Sequence, residues 1–414
     1  MSVTVPGRAN ARRPDSRTGA RRAALLAFAA QGVSVAAVYT TVPAVTEHLG
    51  LAALLTTTVM VAVALMAGGG SFLGLAAIRR AGPAATMRGA ILTAVAALLL
   101  IGWAPDEATV ICAYLLFGLA VGALDVGVNT RAAAIERACG RSIFGSFYMA
   151  WSVGGVIAAL LTAGVARLEW SVGDGLTIQA GIVLLLAACI RTHDLPASEA
   201  PPDTLVQPPP VRRLWVRLLP FGLVLLVVYV VDSTVSAWSA VYLRQTLAAS
   251  LTVAPLAYAV YQAGTVTGRA STDRLVQRFG VAAVIRTASL LVAGGLAGMA
   301  AAPSWPFAAL AAGAVGLGTS VLAPLCLASA ARLFPAASEA VLARLNLFNY
   351  FGVVTGGAVS GLLGSTGQFR LAYAAPAVLA VLLLAAARHF TQPASPARTE
   401  YVPSVDRAAP RPRD

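Results

Sequence analysis

Three groups of side chains stand where hydrophobic burial alone would not put them. Asp232 interrupts the apolar stretch VVYVVDSTVSAWSAVYL, from Val227 to Leu243. Asp125 and Asn129, four apart in GALDVGVNT, share one helical face. Arg269 and Asp273 repeat that spacing in GRASTDRLVQRFG. A carboxylate at bilayer depth costs at least ~2.5–3.5 kcal/mol, and the cost falls if it faces water, pairs with a cation or takes up a proton. The chemistry open to these groups is proton exchange, polar solute binding and ion pairing. The sequence has no phosphate loop, metal-ligand spacing or Ser-His-Asp set, so neither an enzyme activity nor a metal or cofactor is expected.

The elements that carry these residues follow from hydropathy. The chain has 414 residues, 58% hydrophobic and 11% charged, with mean hydropathy +0.77. Soluble domains are about 25% charged, so lipid is the solvent this composition suits. Apolar runs recur at 23–45, 53–77, 86–103, 109–131, 143–166, 175–191, 218–241, 250–271, 281–302, 305–330, 340–364 and 370–389. Backbone inside a bilayer must satisfy its own hydrogen bonds, so these are helices, twelve of them. With the N-terminus inside and strict alternation, all of the 30 basic residues but Arg167, Arg244 and Arg370 fall on the inner side. That is the positive-inside bias of an even number of spans with both ends cytoplasmic. It also accounts for the pI of about 10.4 without nucleic acid. The four cysteines fit neither a disulfide framework nor a metal site.

The expected organisation is a cytoplasmic tail (1–22), a six-helix bundle (23–191), a Pro-rich cytoplasmic linker (192–217), a second six-helix bundle (218–390) and a disordered tail (391–414). The halves are weakly repeated: SVGGVIAALL at Ser152 resembles VTGGAVSGLL at Val354. Polar stripes in apolar helices should face the bundle interior. They are Gln31 with Ser34, then Tyr258, Gln262 and Thr265, and then Asn346, Asn349 and Tyr350. Trp151 is a further candidate to line a cavity; Trp238 lines it or joins the outer aromatic belt. Asp232 lies about 21 Å along its span, somewhat past the midplane. Its alternatives are a proton or substrate site, or a structural hydrogen bond helped by Ser233, Thr234 or Ser236. Asp125 is nearer the inner end and suits a gate bridge to Arg79 or Arg80, with binding as the alternative. Gly118-x-x-x-Gly122, Gly264-x-x-x-Gly268 and Gly294-x-x-x-Gly298 read as packing faces.

Gly122–Gly155, Asp232–Leu247 and Gly268–Gly280 together resemble the major facilitator superfamily, and most of all its fucose-permease-like branch. The resemblance implies an all-α integral membrane protein, with twelve transmembrane helices in two six-helix bundles. It assigns Arg269, Asp273, Arg274 and Arg278 to a cytoplasmic gate motif. The matching loop of the first half, Gly74–Gly89, lacks the motif's acid. Tyr148 stands where many relatives carry His, and remains a cavity candidate. Asp232 stands where many carry Glu.

The expectation is a monomeric secondary transporter of the inner (plasma) membrane, working by alternating access. It moves a small organic solute, coupled to protons, with Asp232 the first candidate for the coupling acid and Asp125 the second. The resemblance implies sugar or polar solute uptake. A cavity with few polar groups would suit export of an amphiphilic drug or natural product better, which is slightly preferred. The alternative of another class is a non-transporting membrane sensor.

Overall fold

The computed structural model describes residues 14–139, 143–190, 211–333 and 338–386. They form eleven helical stretches: α1 (Pro14–Leu49), α2 (Ala53–Gly102), α3 (Glu107–Cys139), α4 (Phe144–Arg167), α5 (Val172–Ala188), α6 (Val211–Gln245), α7 (Leu256–Phe279), α8 (Val281–Ala301), α9 (Trp305–Leu333), α10 (Ser338–Ser365) and α11 (Phe369–Ala386). Eight of the helices among the described residues are long and apolar enough to cross a membrane. α2 is 50 residues long, or about 75 Å if straight, more than twice a hydrocarbon core. It is instead two arms broken at Gly82, where φ is 79° and ψ 163°. Only glycine adopts that backbone freely. Counted as arms, the stretches agree with the twelve runs expected.

The halves repeat in packing as well as in sequence. Gly280, between α7 and α8, has φ 79° and ψ 158°, matching Gly82. A Cβ on Gly118 would meet the Val63 carbonyl, and one on Gly316 the Tyr261 carbonyl. Gly70 abuts the Leu119 carbonyl as Gly268 abuts that of Leu317. One common offset relates all these pairs. A second correspondence joins Gly154, against the Ala29 carbonyl, to Gly356, against that of Val230. Two of the three expected glycine faces therefore pack as foreseen. In the third, Gly294 has nothing within 4 Å, and Gly295 with Gly298 faces α9 instead.

Helix ends differ from the hydropathy runs where charged residues extend a helix beyond lipid. α1 begins at Pro14, inside the expected tail. α6 begins at Val211, so the expected linker ends earlier, right after the Pro208–Pro210 run that suits a helix start. α7 continues through the loop motif to Phe279, so Asp273, Arg274 and Arg278 lie on helix. The rest of the linker and the C-terminal tail lie outside the described residues. Local caps set the entry of helices that matter below. Glu136 Oε2 accepts the Ile143 and Phe144 N–H groups at 2.7 and 2.8 Å, fixing the start of α4. Asp106 accepts the Thr109 N–H at 2.8 Å before α3, which holds its carboxyl below the usual range.

Within the first half α2 packs on α3 and α1 on α4; within the second α7 packs on α9, α6 on α10 and α8 on α9. Across the halves α4 meets α7 and α2 meets α10. The face on which α1 begins is called the near side below, the face on which it ends the far side.

Candidate functional site

The cross-half contact is built from two complementary stripes. α7 presents Tyr258, Gln262, Thr265 and Arg269; α4 answers with Gly155, Ser152 and Tyr148. A Cβ on Gly155 would lie 3.3 Å from the Tyr258 ring and 3.4 Å from the Gln262 side chain. Thr265 Oγ1 donates to Ser152 Oγ at 2.9 Å. Arg269 donates to Ser152 Oγ and, at 2.9 Å, to the Tyr148 carbonyl. Its guanidinium carbon is 5.7 Å from the Tyr148 ring centroid, within cation–π reach. The stripe expected to line a cavity thus forms part of the seam between the halves.

On the first half's side sits one carboxylate network. Gln31 Nε2 on α1 donates to Asp125 Oδ1 at 3.1 Å. Asn129 Nδ2 donates to the same oxygen at 3.0 Å and to the Asp125 carbonyl at 2.9 Å. The Tyr148 hydroxyl donates to Asn129 Oδ1 at 3.1 Å. Four expected residues from three helices are therefore joined in one chain of hydrogen bonds. All of Asp125's described donors are neutral; Arg79 and Arg80 are exposed and form no ion pair with it among the described residues. The expected gate bridge is corrected accordingly. Asp125 points toward α1, while the two arginines sit at the exposed near end of the first arm of α2.

The second carboxylate belongs to the other half. Asp232 Oδ1 accepts the Tyr261 hydroxyl of α7 in a short hydrogen bond. Tyr261 is fully buried and also meets Thr319 Oγ1 of α9 at 3.4 Å. The positive charge of Arg269 acts on Asp232 as well as on Tyr148, Tyr229 and Tyr261. Asp125 and Asp232 are both half-buried. Two of the expected local helpers of Asp232, Ser233 and Thr234, serve elsewhere. Ser233 turns back to the Val230 carbonyl at 3.3 Å, and Thr234 bonds Ser360 at 2.8 Å.

The remaining candidates divide. Trp151 is half-buried, its backbone carbonyl against Gly32. Tyr350 is exposed, within reach of Ser71 on α2, and Asn349 is half-buried. The side chain of Asn346 lies outside the described residues. Trp238 lines no cavity and joins no outer belt. It is 2% exposed, its Nε1 donates to the Gly357 carbonyl at 2.9 Å, and its ring packs on Gly361 and Phe369. Arg269 bonds across the halves and makes no ion pair with Asp273. A solvent-exposed pair contributes only ~0.2–1 kcal/mol, less than charge-assisted hydrogen bonds inside the seam. Asp273, Arg274 and Arg278 are exposed, and Arg278 stacks on its neighbour Phe279 at 5.3 Å.

Sequence reasoning missed Tyr261, Ser152 and a far-side clasp. Tyr261, three residues after Tyr258, already lay on the same helical face as the expected stripe. The clasp joins the ends of α1 and α6: Arg244 pairs through both Nε and Nη2 with the two Glu47 carboxylate oxygens. Beside it Thr57 Oγ1 of α2 donates to the Gly361 carbonyl of α10 at 3.0 Å. These contacts join the two halves on the far side. Glu47→Gln should raise far-side opening by no more than about fivefold, since an exposed pair contributes ~0.2–1 kcal/mol. The readout is maleimide labelling of Thr46→Cys in a chain with its four cysteines replaced; an unchanged rate at low and high salt would mean the pair holds nothing shut.

Repeated halves of apolar helices, meeting along a polar seam with carboxylates at bilayer depth, define a multi-pass membrane transporter. The chain belongs to the Major Facilitator Superfamily, which it matches over residues 24–280 and 221–411. It is similar to an uncharacterized MFS-type transporter of Yersinia pestis, 29% identical over 288 residues, covering 69% of this chain and 73% of that one. Among solved structures its fold is similar to a mutant of the nucleoside transporter NupG (TM-score 0.69, 15% identity, 91% of this chain and 100% of that chain). It is also similar to a D-xylose-proton symporter (TM-score 0.69, 16% identity, 87% and 95%).

Proposed function

We propose that this transporter is a monomeric, proton-coupled carrier of a small polar solute rich in hydrogen-bonding groups, with Asp232 as the proton site. It works by alternating access in the plasma membrane, with both tails cytoplasmic. The observation that carries the reading is the polar set at the seam. Gln31, Asp125, Asn129 and Tyr148 form one network in the first half, Asp232 and Tyr261 pair in the second, and Arg269 joins them by contacting Tyr148 and acting on Asp232. Export of an amphiphile was preferred on the sequence because few polar groups were foreseen in the cavity. The assembled network supports the polar-solute alternative instead. NupG and the D-xylose-proton symporter, by name carriers of a nucleoside and a sugar, have the same fold. Direction follows from coupling: a solute that travels with the proton moves inward.

Thermal unfolding of the purified protein tests this with two panels, one of sugars and other polyols, one of amphiphilic drugs and cations. A ligand at about 100 times its dissociation constant stabilises by ~2.7 kcal/mol if it binds only the folded state. Hits among polyols that weaken in Asp125→Asn or Gln31→Ala support the reading. Hits only among amphiphiles would replace it with export.

A further inference from the structure

α6 carries Ser236 and Ser239 at i+4 and i+7 from Asp232, on the same face and toward the far side. They are 5% and 0% exposed, and neither hydroxyl makes a hydrogen bond to the protein. Many Ser and Thr elsewhere in these helices turn back to a carbonyl one turn earlier. Thr40 does so to Ala36 at 2.7 Å, Ser289 to Ile285 at 2.8 Å and Thr319 to Val315 at 3.0 Å. Ser236 and Ser239 forgo that bond. A buried hydroxyl with no partner is costly, and two in line with a carboxylate call for a common partner. The axial steps from Asp232 to Ser236 and on to Ser239 are about 6 and 4.5 Å. One water with two hydrogen bonds of about 2.8 Å spans at most about 5.6 Å, so the second step takes one bridging water and the first takes two.

The geometry points to a hydrated proton path that descends from the far side along Ser239 and Ser236 to Asp232. This rests on the reading of Asp232 as the proton site. Each hydroxyl and water accepts one proton and passes on another, so the file ends as it began and the transferred proton rests on a carboxylate oxygen. Tyr261 donates to the same carboxyl and Arg269 acts on it, while Tyr39, Tyr229 and Tyr258 lie within electrostatic reach. The path would let Asp232 receive a proton while Glu47–Arg244 joins the halves on the far side.

Infrared spectroscopy of the full chain in lipid tests the path without a solute. The protonated Asp232 gives a carboxylic carbonyl band that Asp232→Asn removes, and transfer to deuterium oxide shifts it. Filling the path with Ser236→Val and Ser239→Val should slow that shift roughly tenfold or more. Ser236→Ala and Ser239→Ala, which remove only the hydroxyls, should slow it less and lower Tm. An unchanged exchange rate in the folded double variants overturns the path and leaves the proton site standing. A raised Tm in the alanine variants also overturns it, because it would mean the hydroxyls are dry. Absence of any band that depends on Asp232 between about pH 4 and about pH 9 brings down the proton site and the path together.

Discussion

Asp232→Asn should give a protein that folds and exchanges its solute but no longer concentrates it. Asparagine keeps the shape of the side chain, and its amide oxygen still accepts the Tyr261 hydroxyl, so the α6–α7 contact survives. What is lost is the group that takes up a proton. Each pH unit across the membrane is worth about 1.4 kcal/mol, which is tenfold accumulation for one proton per solute. A two-unit gradient therefore supports about 100-fold accumulation in the native protein and none in the variant. The measurement is uptake into proteoliposomes, with counterflow at equal pH as the control. Counterflow should persist while its pH dependence flattens. Unchanged pH dependence would move the proton to another group, Asp125 first.

The largest effect on stability is expected at Gly122. A Cβ there would sit 1.8 Å from the Ala67 carbonyl oxygen and 2.8 Å from its Cα. Both are backbone atoms of α2, so no rotamer change relieves the overlap and the two helices must separate. Overpacking costs ~1–3 kcal/mol and occasionally more. Gly122→Val belongs at the top of that range, because Gly118 and Gly70 share the seam and would lose their contacts too. Gly164 is the control, with nothing within 4 Å. Gly164→Ala should be neutral or stabilise by up to ~1 kcal/mol through helix propensity. Unfolding midpoints in detergent decide the matter; a native midpoint for Gly122→Val would show that the α2–α3 contact yields freely.

Much of the fold was legible because a bilayer imposes two simple rules, a fixed span length and arginines on one side. The repeated glycines gave the packing faces, since only a missing side chain lets backbones touch. The polar partners of the site were harder to read. Gln31, Asp125 and Asn129 were each marked by polarity inside an apolar run, and Tyr148 by the family resemblance. That they join one network depends on how α1, α3 and α4 are rotated against one another, which no local spacing records. Arg269 shows the limit most clearly. Its spacing to Asp273 suggested a pair along one helix, yet three-dimensional packing turned it to Ser152 and Tyr148. Trp238 erred in the other direction, a ring that suited a cavity by type but fills the gap over Gly361. Tyr261 passed unnoticed because tyrosine in an apolar helix is ordinary until a carboxylate from another helix is found at its hydroxyl.

The glycine contacts carry one more consequence. Gly154 rests on the Ala29 carbonyl as Gly356 rests on that of Val230, so two residues further on Gln31 and Asp232 are counterparts. Both halves run the same way across the molecule, so a chemical difference between such counterparts is a difference between halves, not between faces. Here one member of the pair is a neutral amide that braces the acid of its own half, and the other is itself the acid. With Asp232 as the proposed proton site, proton binding would act on the second half. The scaffold is thus geometrically balanced and chemically lopsided.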